Sequence, residues 1–181
     1  MQVHCCTPIF HSCQCALPQV CKRQSLSMEP FDYGVDFSSV DFRKNPHLYK
    51  VGRGEQGVLL VEPYKSEILP HWRFRNPAIA RESAQKIYRM FLSYISQGDF
   101  VGADMARKYL MMGWTRARRY ANYSGGKKYG SDGKLNERLP DHDTSEKAQS
   151  AAVFKEYYEM AKSNKEYGQM LIFWGKTNAV S

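Results

Sequence analysis

The chain has 181 residues, of which 43% are hydrophobic and 24% are charged, and its formal net charge at pH 7 is +8. This composition excludes an intrinsically disordered chain, and the longest apolar run, Met170 to Trp174, is too short to cross a bilayer. The length suits one domain whose core needs neither a metal ion nor a disulfide for stability.

The positive charge is concentrated in the middle of the sequence. Residues 71–138 hold fourteen basic and five acidic side chains, a net charge of +9, so the rest of the chain sums to −1. A concentrated charge predicts a polyanionic partner more strongly than a diffuse one does. We therefore expect nucleic acid, either DNA or RNA, as the leading partner.

The first 27 residues differ from the rest of the chain. They contain all five cysteines and no acidic residue. The cysteine spacings match no zinc module, so no metal site is expected there. The segment is either a disordered or transit-like extension, or it precedes a native start at Met28, which leaves 28–181 as one globular domain. The protein is then cytoplasmic, or organellar if residues 1–27 are a transit peptide.

Residues 31–42 predict an extended aromatic arm, although their alternation equally permits a strand over residues 33–37. In FDYGVDFSSVDF, three aspartates (Asp32, Asp36 and Asp41) lie between apolar and aromatic residues. The aromatic side chains are expected to pack onto helices, and the aspartates to face the arginines of the basic region. In that case part of the positive charge is neutralised inside the molecule, and the chain is an interaction module rather than a nucleic-acid-binding protein.

A small β-hairpin is predicted after the arm. Residues 49–51 and 58–61 are β-prone, and the segment between them carries Gly52, Gly54 and Gly57. The G-x-G-x-x-G pattern also permits a loop that cradles an anion. A dinucleotide site, however, would require a helix to begin at the last glycine, and Pro63 soon follows an apolar run instead.

The next region predicts helices. Asn76 and Pro77 are a typical helix start, and an apolar stripe follows until Gly98: Ala80, Ala84, Ile87, Phe91, Ile95. Asp99 can cap a second helix over residues 100–112, with Asp104, Arg107 and Lys108 expected to face outward. Thr115 can cap a short third helix after Gly113.

The last third of the chain predicts two more helical segments. One covers residues 144–163, with Asp143 as its cap, and a short one carries the apolar C-terminal end, where a protein partner is possible. The predicted fold is therefore mainly α, formally α+β: a compact helical domain with a small N-terminal β-hairpin and an extended aromatic arm.

The best candidate site combines the third helix with the loop SGGKKYG. Arginine and lysine neutralise phosphates, glycines let backbone amides approach them, and aromatic rings stack on unpaired bases. The candidate nucleic-acid-binding residues are Trp114, Arg116, Arg118, Arg119, Tyr120, Tyr123, Lys127 and Lys128.

The alternative is a small enzyme acting on an anionic, phosphorylated metabolite. The glycine segment, His71 and the arginines would line its cleft, with Glu62 or Glu67 orienting the histidine. No high-specificity catalytic motif is present, and no cofactor is expected. The string Asp141-His142-Asp143 offers metal-ligand types, but a helix-capping turn needs the same residues.

Three long strings carry a resemblance to a known family. They are the segment from FDYGVDF to ILPHWRF, then DFVGADMARKYLMMGWTRARRYAN, then SGGKKY. They resemble the family catalogued as domain of unknown function 4385, small proteins of bacteria and some viruses. The resemblance favours a domain start near Met28 and implies no catalytic residue, cofactor or substrate.

Overall fold

The computed structural model describes residues 33–34 and 36–178, and this part of the chain is mainly helical. Its α-helices are α1 (Tyr64–Ile68), α2 (Pro77–Ser96), α3 (Phe100–Asn122), α4 (Glu146–Lys162) and α5 (Lys165–Asn178). None of these helices is long and apolar enough to span a membrane. The predicted extension, residues 1–27, lies outside the described residues, as does Asp32.

Helix α3 lies at the centre of the fold. It packs against both α2 and α4, which also contact each other, while α1 and α5 pack against its first half. The core between them is rich in aromatic residues: Phe42, Tyr49, Tyr64, Phe91, Phe100, Tyr109, Phe154, Tyr167. Burial of such rings supplies most of the hydrophobic stabilisation of a fold of this size.

The prediction for α2 is confirmed in detail. The Asn76 side chain accepts a hydrogen bond from the Ile79 backbone N–H at 2.9 Å, and Pro77 is the first helical residue. Every residue of the predicted apolar stripe is buried. Gly98, with φ of +70°, ends the turn after the helix, as glycine can do without steric cost.

The helix boundary predicted near Gly113 is wrong, because α3 runs without a break from Phe100 to Asn122. Asp99 caps it as expected, accepting from the Gly102 N–H at 2.9 Å. Gly113 serves packing instead: a Cβ atom placed there would lie 2.3 Å from the Phe154 ring of α4. The glycine therefore lets two helices approach closely, and Thr115 lies inside the helix.

The predicted β-hairpin is not formed. No β-strand occurs in the described residues; residues 49–51 have no regular structure, and residues 54–60 form successive turns. In residues 33–34 and 36–178 the only β-type pairing is an isolated bridge between Tyr129 and Leu135. The segment forms turns because Val58 and Val61 are buried in the core against the helices. The segment therefore contributes side chains to the core and does not pair with residues 49–51 as a β-strand.

The aromatic arm packs onto the helices, although it runs in turns rather than extended. Phe42 and Tyr49 are each 1% exposed, and the Phe42 N–H donates to the Glu62 carbonyl at 2.9 Å. Tyr49 contacts Phe100 of α3 and Trp174 of α5. The arm thus closes the end of the bundle where α3 begins.

The two closing helices match their predictions with one change of cap. Ser145, not Asp143, caps α4 by accepting from the Ala148 N–H. Helix α5 is held by Trp174, whose ring stacks on Phe100 at 4.8 Å. Ile172 and Phe173 on the same helix remain exposed.

Candidate nucleic-acid interface

An open groove of about 350 Å³ runs along the second half of α3. Five of the eight predicted site residues line it: Trp114, Arg118, Arg119, Tyr123 and Lys128. Thr115, Asn122 and Arg138 complete the lining. Because residues three and four apart share one side of a helix, a single continuous α3 brings five of these side chains into one wall.

The groove has a charged rim and a largely uncharged floor. Arg119, Lys128 and Arg138 are exposed and form the rim. Trp114 is half-buried, and Tyr123 is only 6% exposed, so its ring is largely covered rather than offered to a ligand as predicted. Exposed cations on the rim suit phosphates, whereas the floor suits a flat, less polar group.

The loop after α3 folds back to complete the groove. Gly125 and Gly126 have φ of +60° and +71°, a left-handed conformation that reverses the chain. The Leu139 N–H then donates to the Asn122 carbonyl at 2.9 Å, which ties the far end of the loop to the end of α3. This closure carries Lys128 and Arg138 to the rim.

Three predicted residues lie outside the groove lining. Tyr120 is 44% exposed and packs on Phe74 with ring centroids 5.9 Å apart. Its ring also covers Gly126, where an added Cβ would approach it to 3.2 Å. Arg116 and Lys127 are exposed. These side chains extend the basic surface beside the groove rather than its interior.

The turn before α2 supports the Tyr120 ring. The Lys147 ammonium of α4 donates to the carbonyls of Phe74 and Arg75 and lies 5.2 Å from the Phe74 ring centroid. Burial lowers the pKa of Lys147, and the neighbouring Glu146 opposes that shift. Phe74 was missed at the sequence level, because nothing in the pattern indicates that the start of α2 meets the end of α3.

Two carboxylates form ion pairs with arginines near the groove. Asp143 pairs with Arg118, and Glu55 lies 3.9 Å from Arg116. Glu55 also accepts a hydrogen bond from Thr115 in the groove wall. The Arg118 hydrogen bond holds the pKa of Asp143 below its usual range, so this carboxylate stays charged. The rim cations Arg119, Lys128 and Arg138 have no ion pair among the described residues.

The two aspartates of the arm that the structure describes, Asp36 and Asp41, bind within the arm itself and not to the arginines of α3. Asp36 accepts hydrogen bonds from the backbone N–H and hydroxyl of Ser38. Asp41 accepts from the Arg43 and Lys44 backbone N–H groups. These are local turn contacts, so for Asp36 and Asp41 the predicted pairing with α3 arginines is wrong. The neutralising acids are Glu55 and Asp143 instead.

The first half of α3 carries a buried ionic cluster. We expected Asp104, Arg107 and Lys108 to face solvent, and this is wrong: Asp104 and Lys108 are fully buried and Arg107 is nearly so. Arg107 pairs with Asp104 at 2.7 Å, and the Lys108 Nζ donates to the Gln56 carbonyl at 2.9 Å and lies 3.5 Å from Asp104. This cluster holds the glycine segment against the helix.

Two tyrosines complete the coordination of Asp104. The hydroxyls of Tyr49 and Tyr167 both donate to its carboxylate. Burial by itself raises the pKa of Asp104, but attraction by Arg107 and Lys108 and the tyrosine hydrogen bonds outweigh it and hold the pKa well below its usual range. The same burial lowers the pKa of Lys108 against the attraction of Asp104.

In the enzyme alternative Glu62 or Glu67 orients His71, but among the described residues neither glutamate makes a hydrogen bond or ion pair with it. Glu67 pairs with Arg43 and Glu62 with Lys65, and the backbone carbonyl of His71 accepts from the Ser83 hydroxyl. Hydrogen bonding from Arg43, opposed by burial, lowers the pKa of Glu67. Within residues 33–34 and 36–178, no group of three or more His, Cys, Asp or Glu side chains is arranged to hold a metal ion.

The comparisons with known proteins identify a family but no function. No curated protein and no solved structure matches the sequence. Residues 32–177 match the family described as domain of unknown function (DUF4385). This match spans the arm, all five helices and the whole groove. The chain therefore belongs to the DUF4385 family.

Proposed function

We propose that the protein binds nucleic acid through the groove on α3 and the loop that closes it. The observation that carries the proposal is the convergence of three exposed cations, Arg119, Lys128 and Arg138, on the rim of one groove; none of them has an ion pair within the part of the chain that the structure describes. Phosphate contacts supply most non-specific affinity for nucleic acids, and they require accessible Arg and Lys side chains.

The surface beside the groove adds a feature that simple anion binding does not need. The exposed Tyr120 ring is held by Phe74 on one side and Gly126 on another, so it is a rigid aromatic surface next to the rim cations. Stacking of a base on such a ring adds affinity without sequence preference. Phosphate and base contacts are therefore available side by side.

Fluorescence anisotropy with labelled oligonucleotides tests the proposal. We expect saturable binding that weakens between about 50 and 200 mM salt, with dissociation constants of about 10⁻⁴–10⁻⁶ M for non-specific binding. Single- and double-stranded probes are compared at both salt concentrations. Absence of a saturable, salt-dependent signal with every probe would refute the proposal.

A matched pair of triple variants shows whether the groove is responsible. One replaces Arg119, Lys128 and Arg138 with Gln, and the control makes the same change at Arg81, Lys86 and Arg89, exposed residues of α2. Both remove three positive charges. Only the groove variant should bind more weakly, with a salt slope for single strands smaller by about 2. Equal loss in both variants would indicate a diffuse charge effect.

A second candidate function follows from the size of the groove. Its volume of about 350 Å³ lies within the range of about 300–1,000 Å³ usual for small-molecule sites, so a phosphorylated metabolite also fits. A thermal-shift screen with nucleotides, sugar phosphates and inorganic phosphate discriminates, because a bound ligand raises the melting temperature by mass action. A shift with one metabolite, together with no oligonucleotide binding, would favour this candidate.

A further inference from the structure

Three side chains join the groove to the turn before α4. The guanidinium of Arg118, which lines the groove, donates to one carboxylate oxygen of Asp143. The Nε2 atom of His142 lies 3.2 Å from the other oxygen of that carboxylate. Among the described residues no such group is arranged to hold a metal ion, so the string Asp141-His142-Asp143 contributes to a charge network beside the groove.

The His142 ring has a fixed position and a defined tautomer. Its Nδ1 atom lies 2.8 Å from the Leu139 carbonyl oxygen, and because that oxygen can only accept, Nδ1 carries a proton and donates it. The Leu139 N–H in turn donates to the Asn122 carbonyl at the end of α3, and Arg118 donates to the His142 carbonyl at 3.2 Å. The turn that carries the ring is therefore tied to α3 at two points.

This tautomer makes the contact with Asp143 depend on a second proton. A neutral ring with its proton on Nδ1 presents a lone pair at Nε2, and a lone pair forms no hydrogen bond with a carboxylate oxygen. In the doubly protonated ring Nε2 is a donor, and the same contact is a charge-assisted hydrogen bond. Histidine is the side chain that ordinarily changes charge between about pH 5 and 8.

The charged groups around the ring determine what its proton changes. The Arg118 hydrogen bond, opposed by burial and aided by attraction to His142 and Arg138, holds the pKa of Asp143 below its usual range. Within the part of the chain that the structure describes, α4 contributes no ion pair to His142 or Asp143. The three linked side chains therefore have a net charge of zero when the ring is neutral, because Arg118 and Asp143 cancel. A charged ring adds one positive charge at the groove.

We infer that His142 is a proton switch that regulates nucleic-acid binding by the groove. The inference rests on the proposed function and deepens it. When the ring is protonated it shares the Asp143 carboxylate with Arg118, so the arginine is less completely neutralised and attracts phosphates more strongly. No segment has to move, because the three side chains are already in contact. Because linkage is reciprocal, a bound polyanion also favours proton uptake by the ring.

Oligonucleotide binding at two pH values tests the switch. Anisotropy is measured at about pH 5.5 and about pH 8 with a labelled oligodeoxythymidylate, whose bases and phosphodiesters keep the same charge over this range. His142→Asn keeps an N–H donor for the Leu139 carbonyl but cannot be protonated. His47→Asn, at an exposed histidine outside the groove lining, is the matched control.

The expected result is a difference in pH dependence. The increase in affinity from about pH 8 to about pH 5.5 should be about threefold larger in the wild-type protein and in His47→Asn than in His142→Asn, as expected for one charge near the phosphates. The salt slope of the wild-type protein should also be larger by about 0.7 at the lower pH. His142→Lys carries a permanent charge, so at about pH 8 it should bind about threefold more tightly than the wild-type protein. This second variant serves if His142→Asn does not fold.

The outcomes separate the switch from the proposed function. The same pH dependence in the wild-type protein and His142→Asn overturns the switch and leaves phosphate binding by the groove intact. Binding by His142→Lys that is no tighter than wild-type binding at about pH 8 overturns it as well. Calorimetry of the wild-type protein in two buffers of different ionisation enthalpy measures proton uptake without any variant, and absence of uptake at about pH 6.5 also overturns the switch. No binding at either pH refutes the proposed function itself.

Discussion

The two halves of α3 carry the same kinds of charged residue with opposite fates. In the first half, Arg107 and Lys108 are buried and converge on Asp104. In the second half, Arg119 is exposed on the rim of a groove, while Arg116 and Arg118 pair with carboxylates. One helix thus uses basic residues for architecture at one end and leaves them available to a ligand at the other.

This difference shows that the net charge of a region overstates its free positive surface when carboxylates that pair with its cations are ignored. Two cations of the +9 region belong to a buried cluster and three more are paired with carboxylates, so a smaller set accounts for the free positive surface. A buried charge is tolerated only with a complete set of partners, whereas an exposed one needs none. Variants at the two ends should therefore affect different properties, stability at one and binding at the other.

The largest expected effect comes from Asp104→Asn. This change leaves Arg107 and Lys108 buried without their counter-ion, which should lower the free energy of unfolding by about 3–5 kcal/mol. Urea denaturation monitored by circular dichroism measures it. The control Asp132→Asn, at an exposed loop residue, should change stability by less than about 0.5 kcal/mol. Similar small effects for both would mean that the cluster is not a buried ionic centre.

The same variant has a pH signature with a defined sign. Because the pKa of Asp104 is held below its unfolded value, its contribution to stability is complete above about pH 4 and is lost as the pH falls. The unfolded chain takes up a proton there that the folded protein does not bind. The wild-type protein should therefore lose more stability in acid than Asp104→Asn does. Parallel pH profiles would contradict this.

The next largest effect concerns the junction between the two halves. Alanine favours helices over glycine by about 1 kcal/mol, yet Gly113→Ala should destabilise the fold by about 1–3 kcal/mol because the new methyl group overlaps the Phe154 ring. Gly168→Ala in α5 meets no atom within 4 Å, so it should be neutral or stabilising. Thermal unfolding of both variants checks this, and stabilisation by Gly113→Ala would contradict the close packing of α3 and α4.

A smaller effect is expected at the exposed end of α3. Arg119→Gln should weaken oligonucleotide binding about three- to tenfold while changing stability by less than about 0.5 kcal/mol. The matched change Arg107→Gln should do the reverse and destabilise the fold, because it removes a charge from the buried cluster. Anisotropy and urea denaturation are run on both proteins. Loss of stability in Arg119→Gln would show that its side chain is part of the core.

The smallest expected effect is an increase in oligonucleotide affinity. Asp143→Asn removes the carboxylate that pairs with Arg118, so the arginine becomes available to phosphate and oligonucleotide binding should tighten about two- to fivefold. The increase should disappear at high salt, since the pair is exposed and screened. Anisotropy at two salt concentrations measures it. Weaker binding would mean that Asp143 positions Arg118 productively instead of competing for it.

Local sequence signals predicted the helices well, but they predicted some helix ends correctly and others incorrectly. The cap at Asn76, the apolar stripe of α2 and the stop at Gly98 are decided by neighbouring residues, and all are found. The helix boundary at Gly113 and the hairpin turn at residues 52–57 were predicted from the same kind of local rule, and both predictions were wrong. At those places tertiary packing, against Phe154 and against Lys108, decides the conformation.

The sequence by itself determined that the protein is mainly helical, that it belongs to the DUF4385 family and that its positive charge is concentrated around α3. Those properties depend on hydrophobic periodicity, helix caps and composition, which are determined by residues close together in the sequence. Only the tertiary structure decided that Asp104 is buried and that Arg138 returns to the groove. Each depends on which distant segments meet, and no local pattern encodes that meeting.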